Sequence, residues 1–167
     1  MKQLFLLLAM VPTTLYSTVI PKLVKVDAAQ QKCLATTIYG EARSEPEKGQ
    51  IAVAYTLLNR AKNKSICDVA LAHKQYSIFN NNPTLRAVAT SLHLLPNQKN
   101  IIDQKSWAMA VKVAQIVMYG LSPDPTHGAT HYVADKVMKL KGYKYPKWTK
   151  QYKMMVAINN HKFYKIS

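Results

Sequence analysis

The stretches AQQKCLATTIYGEA (residues 29–42) and EPEKGQIAVAYTLLNRA (residues 45–61) predict two successive helices. In the second stretch, apolar residues recur at the helical spacing i, i+3, i+4 and i+7: Ile51, Ala54, Tyr55 and Leu58. Pro46 stands between two acidic residues, which fits a helix start. Glu41 therefore lies at the end of the first helix, close to the junction.

The middle of the chain predicts further helices. A short helix near 67–72 is followed by a region rich in Asn and Pro, residues 76–100. The next helix is capped by Asp103 and ends at Gly120.

The last third of the chain predicts a small sheet. A proline-containing loop at 122–128 precedes two aromatic and β-branched segments, 130–134 and 161–165, which predict strands. Residues 135–150 are rich in Lys and Tyr and predict a loop. Together these elements predict an α+β domain that is mainly helical, with a small β-sheet late in the chain.

The N-terminal residues have the features of an export signal. Lys2 precedes an apolar run that is short and rich in hydroxyl residues for a permanent membrane span. Small residues permit cleavage after Ala28. We therefore predict a signal peptide or weak N-terminal membrane anchor over 1–28 and one folded domain over 29–167. A buried N-terminal helix is the alternative.

Cys33 and Cys67 are the two cysteines of the chain. An even count in an exported protein predicts one disulfide, and two buried free thiols are the alternative. Closing a loop of this length would stabilise the fold by about 3–4 kcal/mol.

The charge is strongly basic, with 23 Lys and Arg against 8 Asp and Glu and a net charge of +15. A field of this sign concentrates polyanions near the surface. Nucleic acid, an anionic membrane and an anionic cell wall all fit this charge. The sequence shows no recognisable nucleic-acid-binding module, so we do not expect nucleic acid as a partner.

The chain has only 8 Asp and Glu residues, so few carboxyl groups are candidates for acid–base catalysis. The partial negative charge at a helix C-terminus favours the protonated form of a carboxyl group, so Glu41 fits a general acid. A surface residue paired with Arg43 is the alternative for Glu41. Glu45 and Asp124 remain as candidates for a second carboxylate, because the others lie in the signal region, at helix starts or beside loops.

His127 and His131 are four residues apart, which is a spacing found in metal sites. Gly128 between them and the flanking prolines argue against a helix, and no acidic partner lies at ligand spacing. We predict neither a metal nor a cofactor.

Several separated blocks carry a resemblance to a known family. The blocks are Ile38–Arg43, Gly49–Tyr55 with Asn59-Arg60, Cys67–Val69, Gln75–Ser77, Asp124–Thr126 with Gly128–Tyr132, and Asn160–Tyr164. Their order and spacing resemble the cell-wall hydrolase family typified by the spore-cortex-lytic enzymes of germinating spores. Members of that family also occur in other bacteria and in phage.

The resemblance implies a lysozyme-like or lytic-transglycosylase-like catalytic domain over 29–167. Its substrate would be the β-1,4 bond between N-acetylmuramic acid and N-acetylglucosamine in peptidoglycan. Glu41 would protonate the leaving oxygen and then act as base while the muramoyl 6-hydroxyl closes a 1,6-anhydro ring. A muramidase-type hydrolase, which needs two carboxylates, is the alternative and would use Glu45 or Asp124.

The resemblance also implies a set of groove residues: Gln75, Tyr76, Ser77, Thr130, His131, Tyr132, Asn160 and Tyr164. The sequence departs from its relatives in ways that bear on groove shape. Ser44 and Asn159 stand where relatives usually have Gly, Ile78-Phe79 replaces an aromatic pair, and the segment 80–100 is longer.

We therefore expect an exported monomer that acts on peptidoglycan in the periplasm or cell wall, with inner-membrane tethering before release if the N-terminal segment is not cleaved. A non-catalytic, cationic wall-binding module and an exported nucleic-acid-binding protein are the alternatives. The setting is phage lysis, spore germination or wall remodelling, and the weakly apolar N-terminus favours a phage endolysin or Gram-negative setting.

Overall fold

The computed structural model describes residues 26–90 and 103–166. The helices in these ranges are α1 (Ala28–Ala42), α2 (Glu47–Ala61), α3 (Ile66–Leu71), α4 (Ser77–Asn81), α5 (Pro83–Thr90), α6 (Gln104–Met118), α7 (Asp135–Leu140) and a 3-10 helix (Lys147–Lys150). The strands are β1 (His131–Ala134), β2 (Met154–Ile158) and β3 (His161–Tyr164). The predicted class, mainly helical α+β with a small sheet late in the chain, is confirmed.

Helix α1 runs through the interior and is buried on most sides. Two of its buried residues are threonines, and their hydroxyls donate to backbone carbonyls one turn earlier. Thr36 donates to Lys32 over 2.8 Å and Thr37 donates to Cys33 over 2.9 Å. Because these buried hydroxyls are paired within the helix, α1 lies in the core without unsatisfied polar groups on those faces.

The main core packs α2, α3, α5 and α6 around α1. Its fully buried members include Leu34, Ile38, Leu57 and Val113. Burial of such a side chain contributes roughly 1.5–3 kcal/mol each, so this cluster holds α1 and α2 in fixed positions.

A disulfide joins Cys33 of α1 to Cys67 of α3, as predicted. The Gln30 side-chain oxygen also accepts hydrogen bonds from the Ser65 hydroxyl and the Cys67 amide, each over 3.2 Å. The start of α3 is therefore fastened to α1 by one covalent bond and two hydrogen bonds.

The three strands form an antiparallel sheet in the order β1-β3-β2. A two-residue turn, Asn159 and Asn160, joins β2 to β3. Asn159 has a φ of 49°, a left-handed conformation that Asn tolerates, so it can stand where relatives usually have Gly. The predicted strands correspond to β1 and β3, whereas β2 was not predicted.

Three short helices also differ from the sequence-based expectation. Helix α7 lies within residues 135–150, where we predicted a loop, so that prediction is wrong for Asp135–Leu140. Helices α4 and α5 lie in the Asn- and Pro-rich region, for which no helix was predicted. Helices of five to eight residues are too short to show a clear helical period in sequence.

A second, smaller core joins the sheet to the helices. It contains Ala52 and Val53 of α2 together with Ile158 and Phe163 of the sheet. Tyr132 of β1 packs against both cores. This packing places β1 beside the C-terminal end of α1.

The predicted segment 1–28 lies almost entirely outside the described residues. Helix α1 begins at Ala28, and the Asp27 carboxylate accepts hydrogen bonds from the amides of Ala29 and Gln30 over 2.8 and 3.2 Å. Cleavage after Ala28 would remove this N-cap. In the part of the chain that the structure describes, each helix is too short or too polar to cross a membrane.

Candidate active site

A cleft of about 850 Å³ opens where α1, α2 and α4 meet β1 and the 3-10 helix. Residues from all of these elements line it, including Glu41, Arg60, Gln75, Tyr76, Ser77, His131, Tyr132 and Trp148. All eight acidic residues of the chain lie in the described ranges, and of these only Glu41 lines the cleft.

Glu41 lies in the last turn of α1 and is half-buried. The Tyr132 hydroxyl donates to its Oε2 over 3.0 Å, and the Ser77 hydroxyl donates to its Oε1 over 3.2 Å. The two donors come from β1 and α4, on different walls of the cleft. Together they fix the orientation of the Glu41 carboxylate.

Two tyrosines, the buried Tyr76 and the half-buried Tyr132, lie beside this carboxylate. Burial raises the pKa of Tyr132 well above its ordinary value, and the negative charge of Glu41 raises it further. Burial also raises the pKa of Tyr76 to about 12, although the neighbouring Arg60 guanidinium acts in the opposite direction. Both phenols therefore stay protonated at neutral pH, and the Tyr132 hydroxyl remains a hydrogen-bond donor to Glu41.

Helix α4 reaches Glu41 because α1 has a glycine at the preceding position. A Cβ atom on Gly40 would lie 2.4 Å from Cδ1, 2.6 Å from Cγ2 and 2.9 Å from Cβ of Ile78. The absence of a side chain at Gly40 thus allows Ile78 to pack directly on α1. Ser77, the neighbour of Ile78, is thereby brought within hydrogen-bond distance of Glu41.

We expect Gly40→Ala to destabilise the protein by about 1–3 kcal/mol, because the new methyl group overlaps the branched part of Ile78 and must displace α4. Thermal unfolding would measure this loss. The double substitution Gly40→Ala with Ile78→Ala removes the overlapping atoms and should recover a substantial part of the thermal midpoint. A single variant as stable as the unsubstituted protein would contradict the tight packing of α4 on α1.

Glu45 lies outside the cleft and is buried, with 7% of its surface exposed. Its Oε1 accepts a hydrogen bond of 2.7 Å from the Asn160 side chain, and its Oε2 accepts one of 3.4 Å from the Asn160 amide. Nδ1 of His161 lies 3.7 Å from Oε1. Glu45 therefore ties the β2–β3 turn to the start of α2.

His161 is buried behind Tyr132, with the two rings edge to face and their centroids 5.1 Å apart. Burial lowers the pKa of His161, although the nearby Glu45 and Glu41 carboxylates partly offset this effect. The imidazole is therefore neutral at neutral pH and supports the Tyr132 ring by packing.

Asp124 also lies outside the cleft and organises the loop before β1. It accepts hydrogen bonds from the amide and hydroxyl of Thr126, the amide of Gly128 and the side chain of Asn59. Burial acts to raise the pKa of Asp124, but these hydrogen bonds outweigh it and the net pKa is lowered. Asp124 is an ionised structural residue at neutral pH, with its oxygens directed into the loop.

Five of the eight predicted groove residues line the cleft with Glu41: Gln75, Tyr76, Ser77, His131 and Tyr132. The other three lie outside this lining and hold adjacent parts in place. Thr130 bonds through its hydroxyl to the backbone of Ile166, Asn160 binds Glu45, and Tyr164 packs edge-on against Trp148. A direct contact of these three with a substrate stays a prediction.

Arg60 and Trp148 line the cleft but were not among the predicted groove residues. For Trp148 the available signal was the group of aromatic residues in the last third of the chain. The Trp148 ring contacts the rings of His131 and Tyr164, with centroids 5.6 and 5.3 Å away, and these contacts hold it at the cleft wall. For Arg60 the available signal was the Asn59-Arg60 pair at the end of α2.

Within residues 26–90 and 103–166, no cluster of three or more His, Cys, Asp or Glu side chains is placed to hold a metal ion. Nδ1 of His131 lies 3.0 Å from the Thr130 hydroxyl. Burial and the nearby Arg60 charge lower the pKa of His131, so it is neutral at neutral pH.

The sequence profile of the cell wall hydrolase family matches residues 44–164, which is most of the chain. The chain belongs to the cell wall hydrolase family. The predicted family, and with it the prediction of an enzyme, is confirmed. The matched range begins just after Glu41, so the role of that residue depends on the geometry described above. No curated protein matches the sequence.

Two solved structures have the same fold as this cell wall hydrolase. One is the catalytic domain of the germination-specific lytic transglycosylase SleB from Bacillus anthracis. Its TM-score is 0.61 and its sequence identity is 23%, and the match covers 84% of this chain and 98% of that chain. The other is the catalytic domain of the Bacillus cereus SleB protein, with a TM-score of 0.56 and a sequence identity of 22%. This match covers 83% of this chain and 91% of that chain. These matches agree with the predicted lytic-transglycosylase-like fold.

Proposed function

We propose that this cell wall hydrolase cleaves the glycan strands of peptidoglycan at the β-1,4 bond between N-acetylmuramic acid and N-acetylglucosamine, as a lytic transglycosylase with Glu41 as its catalytic residue. The observation that carries the proposal is the single carboxylate in the cleft. A hydrolase of the usual kind needs two carboxyl groups flanking the scissile bond. Glu45 and Asp124, the two candidates for the second, are both engaged in structural hydrogen bonds.

In the first step of the proposed reaction, protonated Glu41 donates its proton to the glycosidic oxygen. The bond between that oxygen and muramoyl C1 breaks, and N-acetylglucosamine leaves with a free 4-hydroxyl. Glu41 is then a carboxylate, which accepts the hydrogen bonds from Tyr132 and Ser77. These hydrogen bonds hold the carboxylate in place for the second step, and hydrogen bonds to an ionised acceptor are stronger than those between neutral groups.

In the second step, the Glu41 carboxylate removes the proton from the muramoyl 6-hydroxyl as its oxygen bonds to C1. This closes the 1,6-anhydro ring and returns Glu41 to its protonated form. No water is consumed. One carboxyl group serves as acid and then as base, which is consistent with a cleft that contains one.

The aromatic wall of the cleft supports a sugar substrate. Trp148 and Tyr132 present ring surfaces there, and Gln75, Asn80 and Asn81 add polar groups that can bond to sugar hydroxyls. Apolar ring surface combined with hydrogen-bonding side chains suits a sugar, which has apolar faces and polar edges.

The proposed place of action is the cell wall or periplasm, reached by export through the segment 1–28, which would be either cleaved or retained as a tether. The net charge of +15 supports this location, because stem peptides give the wall a negative charge. We propose that the protein acts as a monomer.

We expect Tyr132→Phe to lower kcat about tenfold, because it removes one hydrogen bond to the reacting carboxylate. The ring and its packing on His161 and Phe163 are kept, so the fold should be preserved. KM should change little, which would distinguish a positioning role for Tyr132 from substrate binding. Unchanged kcat would contradict the role of this hydrogen bond.

The proposal is tested by incubating dye-labelled sacculi with the protein and measuring soluble glycan fragments in the supernatant. An enzyme releases fragments that accumulate with time, whereas a cationic wall-binding module pellets with the sacculi and releases none. Tyr132→Phe and the unsubstituted protein should pellet equally. Binding without release by the unsubstituted protein would overturn the proposed function.

A further inference from the structure

A second, smaller cleft of about 380 Å³ opens beside the proposed glycan cleft. Its six lining residues are Arg60, Lys64, Asp68, Val69, Ala72 and Gln75. Arg60 and Gln75 also line the main cleft, so the two clefts meet at these side chains. The volume lies within the range of about 300–1,000 Å³ that is typical of ligand pockets. We call this smaller cleft the side branch.

The charged groups of the side branch are not paired with one another. None of the ion pairs found within residues 26–90 and 103–166 includes Arg60, Lys64 or Asp68. Lys64 and Asp68 are exposed, so their charged groups are accessible to a ligand. Among the described residues, the two cations and one anion of the branch therefore have no ion-pair partner.

Arg60 is held at the junction of the two clefts. Its guanidinium lies over the ring of buried Tyr76, 5.5 Å from the centroid. A cation–π contact of this kind limits the movement of the side chain and leaves guanidinium donors available. Arg60 can thus bind a carboxylate at the point where the side branch leaves the main cleft.

We propose that the side branch binds the peptide stem of peptidoglycan, which leaves the glycan strand sideways from the lactyl group of muramic acid. A stem carboxylate would bind Arg60 and Lys64, and a stem amino group would bind Asp68. The ligand class is an acidic peptide that also carries a free amine. This inference rests on the proposed function, because it requires the glycan strand to lie in the main cleft.

The test compares two substrates that differ in whether the glycan carries stem peptides. Intact sacculi are one, and the uncrosslinked glycan strands left after an N-acetylmuramoyl-L-alanine amidase has removed the stem peptides are the other. The quantity measured is the ratio of the initial rates of glycosidic bond cleavage on the two substrates, intact over stripped, counted as new glycan chain ends at low substrate concentration. Lys64→Gln and Asp68→Asn should each lower this ratio about twofold to fivefold, which is the upper part of the range expected for exposed ion pairs.

Lys48→Gln is the control, because Lys48 is exposed on α2 and lines neither cleft, and its substitution lowers the net charge by the same amount as Lys64→Gln. It should leave the ratio at the value of the unsubstituted protein. If the unsubstituted protein cleaves both substrates and neither Lys64→Gln nor Asp68→Asn lowers the ratio, the side-branch inference is overturned and the proposed function stands. If it cleaves neither substrate, the proposed function fails and this inference fails with it.

Discussion

Replacing Glu41 with Gln will reduce glycan release by roughly 10³-fold or more, because the amide can neither donate a proton to the glycosidic oxygen nor remove one from the 6-hydroxyl. The substitution keeps the size and planarity of the side chain. Its oxygen can still accept a hydrogen bond from Tyr132 or Ser77. The variant should therefore fold and bind sacculi while losing activity, which release assays and pelleting with sacculi would measure separately.

Glu47→Gln is the matched control for this variant. Glu47 lies on the surface of α2, where it pairs with Lys112 over 2.9 Å, and it does not line the cleft. Exposed ion pairs of this kind contribute about 0–1 kcal/mol, so stability and activity should change little. Full activity in Glu41→Gln would remove Glu41 from the mechanism.

Removing the disulfide will cause the largest loss of stability among the changes considered. The bond between Cys33 and Cys67 closes a loop with a sequence separation of 34, for which chain entropy predicts about 3–4 kcal/mol. Cys67→Ser should lower the free energy of unfolding by this amount in the oxidised protein. Chemical denaturation with and without reductant would measure the loss.

The disulfide also affects the site, because it holds α3 next to α1, and the chain leads from α3 into Gln75, Tyr76 and Ser77. The hydrogen bonds of Gln30 to Ser65 and Cys67 should keep α3 close to its position in the reduced protein at low temperature. Activity should therefore fall on reduction only as the protein unfolds. If reductant leaves stability unchanged, the disulfide does not constrain the unfolded chain as described.

The sequence was sufficient to predict the long elements and the position of Glu41. Ile51, Ala54, Tyr55 and Leu58 follow a helical period over about two turns, so α2 could be assigned from local pattern. Cysteine count and the export signal likewise predicted the disulfide, which the structure contains.

The remaining features depend on contacts between distant parts of the chain. Helix α4 is stabilised by Ile78 packing on Gly40, a contact that no local pattern records. Strand β2 has mixed exposure and an irregular register around Val156, so it lacks the alternation that marks a strand. The two-residue Asn159-Asn160 turn was the available signal for β2.

The residues that line the cleft were harder to predict from the sequence than the position of Glu41. Asn160 and Tyr164 belong to a block that resembles the family, yet their side chains bind Glu45 and pack behind Trp148. Arg60 and Trp148 line the cleft from α2 and the 3-10 helix. Which of these side chains faces the cleft is decided by the packing of the sheet on α2, which the sequence alone does not specify.

Mass spectrometry of the soluble products after digestion of purified sacculi in ¹⁸O-labelled water would distinguish a lytic transglycosylase from a hydrolase. A lytic transglycosylase with Glu41 as acid and base releases fragments that end in 1,6-anhydro-N-acetylmuramic acid, lighter than hydrolysis products by one water and without ¹⁸O at the new end. Reducing N-acetylmuramic acid ends that carry ¹⁸O would contradict this mechanism, because they require an attacking water and a second carboxylate. Reducing N-acetylglucosamine ends would also contradict it, because they place the cut at the other glycosidic bond.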